Sequence, residues 1–230
     1  TTYEQGNMHL APEKATKVDL SYNFSSQAVS LFVNGYLSHT TDYISQMTKM
    51  DNERLITTYA NADSDIKTGV EVSLKVTPAK WMNFSVGANT YYVTTEGVFE
   101  GMHIDNQGWT NNSNLLLDFV PWKGGDLQLQ YFITTPQYYP QLTTSLTHQM
   151  NMGIKQRFMK GAMTASILVT DVLNTAKWDV WSNNSLFNLK NSSTNKSRMI
   201  WLGVSYNFNS FKQKSNQKAE TDRSLIKLGL

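Results

Sequence analysis

The chain has 230 residues, 40% of them hydrophobic and 17% charged, and this size and balance suit one domain of moderate size. Its formal net charge of +2 offers no strong field to nucleic acid or to an acidic partner. No cysteine is present, which excludes a disulfide scaffold and thiolate metal sites, and no apolar run approaches the roughly 20 residues of a membrane helix.

Apolar and polar residues alternate at period two along most of the chain, which is typical of β-strands. In the first predicted strand, Val18, Leu20 and Tyr22 share one face, while Lys17 and Asp19 lie on the other. The nine predicted strands cover residues 16–24, 28–44, 66–77, 81–94, 109–120, 126–135, 148–158, 162–173 and 198–208. Most of them reach the about 9 to 11 residues that a tilted strand needs to cross a membrane.

The connections between these strands alternate strictly between short and long. Short turns are predicted at residues 25–27, 78–80, 121–125 and 159–161, and long loops at 45–57, 95–108, 136–147 and 174–197. Membrane barrels have short periplasmic turns and long outer loops. We therefore expect an all-β fold, an antiparallel up-and-down meander that forms part of a large transmembrane β-barrel.

Aromatic residues cluster near the short turns. Phe24, Trp81, Phe119, Trp122 and Phe158 lie where an interfacial girdle of the barrel belongs. The alternative interpretation is that aromatic side chains are simply favoured in strands.

Four further aromatics lie on the predicted outer loops: Tyr138, Tyr139, Trp178 and Trp181. Their rings are candidates for stacking on a sugar or a siderophore, with an outer girdle or loop packing as the alternative. No nucleotide-binding or hydrolase motif occurs, and the four histidines have no metal-ligand spacing. We therefore expect no enzyme activity, no cofactor and no metal site.

Five stretches form a further pattern along the chain: Gly-Asn-Met-His-Leu-Ala-Pro-Glu-Lys at 6–14, Gly-Val-Glu-Val-Ser-Leu at 69–74, Pro-Ala-Lys-Trp at 78–81, Thr-Asp-Val-Leu-Asn-Thr at 170–175 and Leu-Gly-Val-Ser-Tyr-Asn-Phe at 202–208. In their order and spacing, from residue 6 to residue 208, they resemble the C-terminal barrel region of TonB-dependent receptors, of the outer-membrane β-barrel family type found in Bacteroidetes. Leu173 departs from the family pattern, which has Phe there.

This resemblance implies energy-coupled uptake of a nutrient or metal chelate through a bacterial outer membrane, with TonB as partner. It also implies an upstream plug domain and a barrel of about 22 strands, of which residues 1–208 are the last part. The final strand, with Gly203, Tyr206 and Phe208, is similar to the insertion signal read by the barrel-assembly machinery. Thr1 is then expected to be a cut end.

Residues 209–230 are expected to form a polar, disordered periplasmic tail. The expected partners are outer-membrane lipid, the remaining barrel strands and plug domain, TonB and the assembly machinery, with no nucleic acid. Two alternatives stay open. One is a structural or secretion-associated barrel that transports nothing, and the other is a soluble glycan-binding β-sandwich.

Overall fold

The structure is a computed structural model that describes residues 2–52, 54–194 and 196–208, so the predicted tail lies outside the described residues. The regular secondary structure of the described residues consists of β-strands and one 3₁₀ turn at Met159–Gly161, and no described helix is long and apolar enough to cross a membrane. The strands are β1 (Thr2–Glu4), β2 (Lys14–Ser25), β3 (Val29–Asp51), β4 (Arg54–Ala79), β5 (Met82–Phe99), β6 (Met102–Phe119), β7 (Gly125–Thr134), β8 (Thr143–Thr144), β9 (Thr147–Phe158), β10 (Met163–Thr170), β11 (Lys177–Asn183), β12 (Asn188–Thr194) and β13 (Met199–Tyr206).

Nine of these strands form one antiparallel path in the order β13-β10-β9-β7-β6-β5-β4-β3-β2, and the short β1 pairs in parallel with β4 beside it. The path matches the nine predicted strands one for one. All four predicted short turns are present between them. The all-β meander expected from the sequence is therefore confirmed.

The register of the sheet aligns the apolar residues of successive strands into continuous rows. One row, composed only of apolar side chains, crosses eight strands through Val29, Val76, Phe84, Leu117, Leu129, Met152, Val169 and Ile200. The neighbouring row on the other side of the sheet is mostly polar and includes Ser30, Lys75, Ser85, Gln130 and Asn151. Because successive residues in a strand point to opposite sides, the sheet has one apolar face and one polar face.

Two of the predicted long loops are wrong. Residues 45–57 and 95–108 continue the flanking strands, so that β3–β4 and β5–β6 are long hairpins closed by tight turns. Glu100 and Gly101 adopt φ values of 50° and 76° in one of these turns. The number of residues needed to cross a membrane is only a minimum strand length. The two strands of each hairpin stay paired in register beyond that length, up to the turn that joins them.

The other two predicted loops also contain β structure. Residues 174–197 include the β11–β12 hairpin, and residues 136–147 include β8, which pairs with β11. These strands form a separate three-stranded sheet in the order β12-β11-β8. We call the end of the main sheet that carries this small sheet and the long hairpins the long-hairpin end, and the opposite end the short-turn end.

The side-chain alternation of the β3–β4 hairpin reverses at Asp42, which has a φ of 53°. The register runs from Thr41 opposite Ser64 to Tyr43 opposite Ala62, without a pair between them. Beyond this point the ring of Tyr43 lies 5.5 Å from the Lys67 ammonium, on the polar face of β4. The reversal therefore brings apolar residues of the extension to the polar side of the sheet.

An apolar cluster forms on that side at the long-hairpin end. Its buried members come from four strands, and the partly buried Leu186 of the β11–β12 turn packs against it. The buried members are Met47, Ala62, Phe99, Met102 and Ile104. This cluster fixes the two long hairpins to each other and to the small sheet by hydrophobic burial.

Candidate ligand groove at the long-hairpin end

The connection between β7 and β9 crosses the sheet to β3. The Thr48 amide donates to Oε1 of Gln141 over 2.6 Å, and Nε2 of Gln141 donates to the Thr48 carbonyl over 3.0 Å. Gln141 is buried, and three strands of the sheet lie between β7 and β3. The connection therefore spans the polar face instead of extending away from it.

This connection lies directly against β6. A Cβ atom at Gly108 would be only 2.2 Å from Cζ of Tyr138, so the tyrosine ring occupies the space that any side chain there needs. Nδ2 of Asn106 donates to the Tyr139 carbonyl over 2.6 Å, and the Thr110 hydroxyl donates to the Pro136 carbonyl over 3.0 Å. The segment is thus held to β6 by packing and by hydrogen bonds.

The β11–β12 hairpin is oriented by a corner at Asp171. This residue is fully buried and follows the last residue of β10. Its carboxylate accepts from the amides of Thr175 and Ala176 and from the hydroxyl of Ser197. Burial raises the pKa of the Asp171 carboxyl, but these hydrogen bonds and the Arg198 charge outweigh it, so the pKa lies below its ordinary value.

The sequence offered a signal for this corner, since Asp171 lies in the stretch that resembles the receptors, yet no role was predicted for it. The Arg198 guanidinium completes the corner by donating to the carbonyls of Asp171 and Val172. A buried carboxylate with several donors fixes the direction in which the chain leaves β10.

A groove of about 520 Å³ lies between the edge of β6 and the tip of the β11–β12 hairpin. Residues Met102–Asn106 line one side, and the other is lined by Trp181, Ser182, Asn184 and Ser185. Gln141 also lines the groove. The groove exists because β7 pairs only with Asn112–Phe119 of β6 and leaves the rest of that edge to the crossing connection.

The amide side chains of the groove are engaged by the protein itself. Oδ1 of Asn184 accepts from the amides of Leu186 and Phe187, which shapes the hairpin tip. His103 and Asp105 alternate with the buried Met102 and Ile104 in β6, so their exposed side chains point to the opposite face of that strand. Trp181 is 39% exposed and also lines the groove. The site therefore combines an exposed indole ring with amide side chains that are held by the protein itself.

The structure separates the four aromatics predicted to lie on the ligand side. Trp181 lines the groove, whereas Tyr138 covers Gly108 and Tyr139 is exposed next to Asn106. Trp178 lies three positions before Trp181 in β11, so the two rings point to opposite faces of that strand. Ligand contact by any of the four stays a prediction.

The predicted girdle residues lie at the short-turn end. The rings of Trp81 and Phe119 stack with centroids 6.4 Å apart, and Phe24, Trp122 and Phe158 are exposed. Their role at a membrane interface stays a prediction. The same holds for the assembly signal in β13, where the Tyr206 and Phe208 rings meet edge to face at 4.8 Å and Gly203 lies in the strand.

A second aromatic pair, which the sequence analysis missed, lies on the apolar face nearer the long-hairpin end. Tyr92 and Trp109 meet edge to face with centroids 5.4 Å apart. Trp109 lies ten positions from Phe119 in β6. At about 3.3 Å per residue and a tilt of about 40°, the two levels are about 25 Å apart, which equals the apolar band of membrane barrels.

The family model for an outer membrane protein beta-barrel family matches residues 1–206. The chain belongs to this family. A search of curated proteins gave no match.

Membership places the barrel wall in the bacterial outer membrane, in association with its lipid. It agrees with the continuous apolar face and with the all-β meander. It does not agree with the soluble glycan-binding β-sandwich left open by the sequence.

Proposed function

We propose that the chain is the wall of an outer-membrane receptor for TonB-coupled uptake of a nutrient or metal chelate. The observation that carries this proposal is the course of the two connections at the long-hairpin end. Both turn back over the polar face and enclose a polar groove there, with Gln141 bound to Thr48 on the far side of three strands. A barrel with a purely structural role needs only the wall.

In this proposal the long-hairpin end faces outward and the short-turn end faces the periplasm. β3 has 23 residues, which at about 3.3 Å per residue and a tilt of about 40° extend over about 60 Å. This is more than twice the about 25 Å of the apolar band. The hairpins therefore project well beyond the lipid, where a cargo is first met.

The polar face then lines the lumen of a larger barrel. β2 and β13 are the two outermost strands of the path, and each has one strand neighbour among the described residues. Backbone groups left unpaired in lipid are costly, so the working barrel includes further strands. The resemblance to TonB-dependent receptors supplies a plug domain and TonB as partners, and the assembly machinery as the route of insertion. The proposed role is binding and transport, not enzymatic catalysis.

The test uses cells that express the protein from its natural gene. Uptake of a panel of radiolabelled saccharides and ferric chelates is measured with and without a protonophore. We expect at least one compound to enter only when the protein is present and the proton gradient is intact. Replacing residues 177–194 with a short Gly-Ser linker is expected to reduce that uptake at equal surface expression.

Two outcomes contradict the proposal. If cells with and without the protein take up every compound of the panel equally, the barrel does not transport them. If uptake requires the protein but is unchanged by the protonophore, the protein is a passive channel instead of an energy-coupled receptor.

A further inference from the structure

We infer that the short-turn end binds the headgroups of anionic phospholipids in the periplasmic leaflet of the membrane. The inference goes beyond the proposed function and takes from it only the orientation of the barrel. Its basis is one lysine in each of three consecutive short turns, next to exposed aromatic rings. These lysines, which we call the turn lysines, are Lys80, Lys123 and Lys160.

The three turns are neighbours along one rim of the sheet. The amide of Val120, directly after β6, donates to the Trp81 carbonyl over 2.7 Å, which joins the β4–β5 turn to the β6–β7 turn. The amide of Arg157 near the end of β9 donates to the Gly124 carbonyl over 2.7 Å, which joins the β6–β7 turn to the strand that enters the β9–β10 turn. The turn lysines therefore follow one another along the same rim.

Aromatic rings lie on the apolar face beside each of these turns. The Trp81 ring stacks on Phe119, and the Trp122 indole donates to Gln156; both partners lie on the apolar face. Phe158 lies on the same face, two positions after Gln156. Such rings belong at the level of the lipid headgroups. A lysine next to them can keep its methylene stem at the apolar boundary while its ammonium reaches the headgroup phosphates.

The charges of this end favour an anion at the rim. The turn lysines are exposed and form no ion pair among the described residues. The three turns themselves contain no Asp or Glu. Two carboxylates of this end, Asp118 and Asp126, lie on the polar face of the sheet, where they bind Gln128 and Arg157. The rim therefore has three exposed cations that are not neutralised by these carboxylates.

A lipid fits this rim better than a soluble acidic protein does, because the rim continues the face that already contacts lipid. The chains of a phospholipid against the apolar face bring its phosphate to the level of the turns. A zwitterionic headgroup also carries a cation that a lysine repels, so the preference is for a net anionic lipid such as phosphatidylglycerol. Each lysine near an anionic membrane surface strengthens the association by about fivefold.

The experiment uses the protein expressed from its natural gene and folded into phosphatidylcholine vesicles that contain a minor fraction of phosphatidylglycerol. Bromine atoms on lipid chains quench the fluorescence of nearby tryptophans, and Trp81 and Trp122 lie beside two of the turn lysines. Quenching by brominated phosphatidylglycerol is compared with quenching by brominated phosphatidylcholine. The variant Trp81→Phe/Trp122→Phe gives the background from the other tryptophans, so the difference reports which lipid occupies the rim.

Two double variants remove equal charge from opposite faces of the same end. Lys80→Gln/Lys123→Gln alters the rim, and Lys75→Gln/Lys155→Gln is the matched control on the polar face. The wild type is expected to prefer phosphatidylglycerol by up to about fivefold for each lysine involved. The rim variant should lose most of this preference, whereas the control and Lys80→Arg/Lys123→Arg should keep it. A salt concentration of about 1 M, where the Debye length is about 3 Å, should reduce it in the wild type.

The inference is overturned if the wild type shows no lipid preference. It is also overturned if the rim variant and the control lower the preference equally, since net charge would then be the cause. Binding of an oligoglutamate peptide that depends on Lys80 and Lys123, without any lipid preference, would overturn it in favour of an acidic protein partner.

The leaflet is tested separately with Lys160→Cys in a cysteine-free background. An impermeant maleimide is expected to label this cysteine only after the outer membrane is opened, and labelling on intact cells overturns the periplasmic assignment. None of these measurements involves uptake. A lipid preference without uptake would therefore sustain this inference while the transport proposal fails, and uptake without a lipid preference would do the reverse.

Discussion

Adding a methyl group at Gly108 tests whether the connection between β7 and β9 is held against the sheet. The new Cβ of Gly108→Ala would lie 2.2 Å from Cζ and 2.3 Å from Cε2 of Tyr138. Carbon atoms pack at about 3.5 to 4.0 Å, so the ring must move by about 1.3 Å or more. Overpacking of this kind costs typically about 1 to 3 kcal/mol.

The free energy of unfolding of the full-length barrel in detergent, and hydrogen exchange of residues 135–146, measure this effect. Gly35→Ala is the matched control, because a Cβ at Gly35 meets nothing within 4 Å. We expect Gly108→Ala to lower stability and to speed exchange in the connection, with Gly35→Ala close to neutral. The double variant with Tyr138→Ala should cost less than the sum of the two single changes, since the clash is then absent. Equal effects of the two alanine substitutions, or strictly additive costs in the double variant, would refute the reasoning.

Three further predictions concern the membrane face and the long-hairpin end. Leu129→Arg on the central part of β7 is expected to destabilise the barrel in lipid by about 2 to 4 kcal/mol, and Gln130→Arg on the polar face by clearly less, as measured by denaturant titration in vesicles. Gln141→Ala removes both hydrogen bonds to Thr48 and is expected to reduce the local stability of the connection by about 1 to 3 kcal/mol, measured as faster hydrogen exchange of the Thr48 amide. Unchanged exchange at Thr48 would show that the connection is not held against β3. Folding lowers the pKa of Asp171, so the ionised carboxylate contributes its full free energy of folding above the ordinary pKa near 3.8, and this contribution is lost as the pH falls through the lower folded pKa. The protection of the corner amides from hydrogen exchange, relative to their intrinsic rates, should therefore fall in acid in the wild type but not in Asp171→Asn.

The sequence by itself determined the wall of the barrel. Alternation at period two is a local property, so the faces of residues such as Val72 and Ser73 follow from their positions in a strand. The short turns at residues 78–80 and 159–161 were equally readable, because a wall of adjacent antiparallel strands needs only a few residues to reverse. The register confirms both, and so the apolar face required little tertiary information.

The extent of the hairpins was not readable in this way. The length that crosses a membrane suggested that β3 ends near Ile44, but pairing with β4 continues to Asp51. Whether a strand stops at the lipid surface or continues depends on whether a partner strand stays beside it. The reversal of side-chain alternation at Asp42, where the β3–β4 register is also interrupted, was likewise not predicted from the sequence pattern.

The groove was decided by tertiary structure alone. Gln141 and Thr48 are 93 positions apart in the sequence, and their two hydrogen bonds hold the connection between β7 and β9 against β3 on the polar face. The sequence identified Trp181 as a loop aromatic, but it gave the same role to Trp178, which points the other way. Residue types and local period determine which face a side chain occupies on its own strand. Which distant segments meet there depends on long-range contacts, and these exist only in the folded chain.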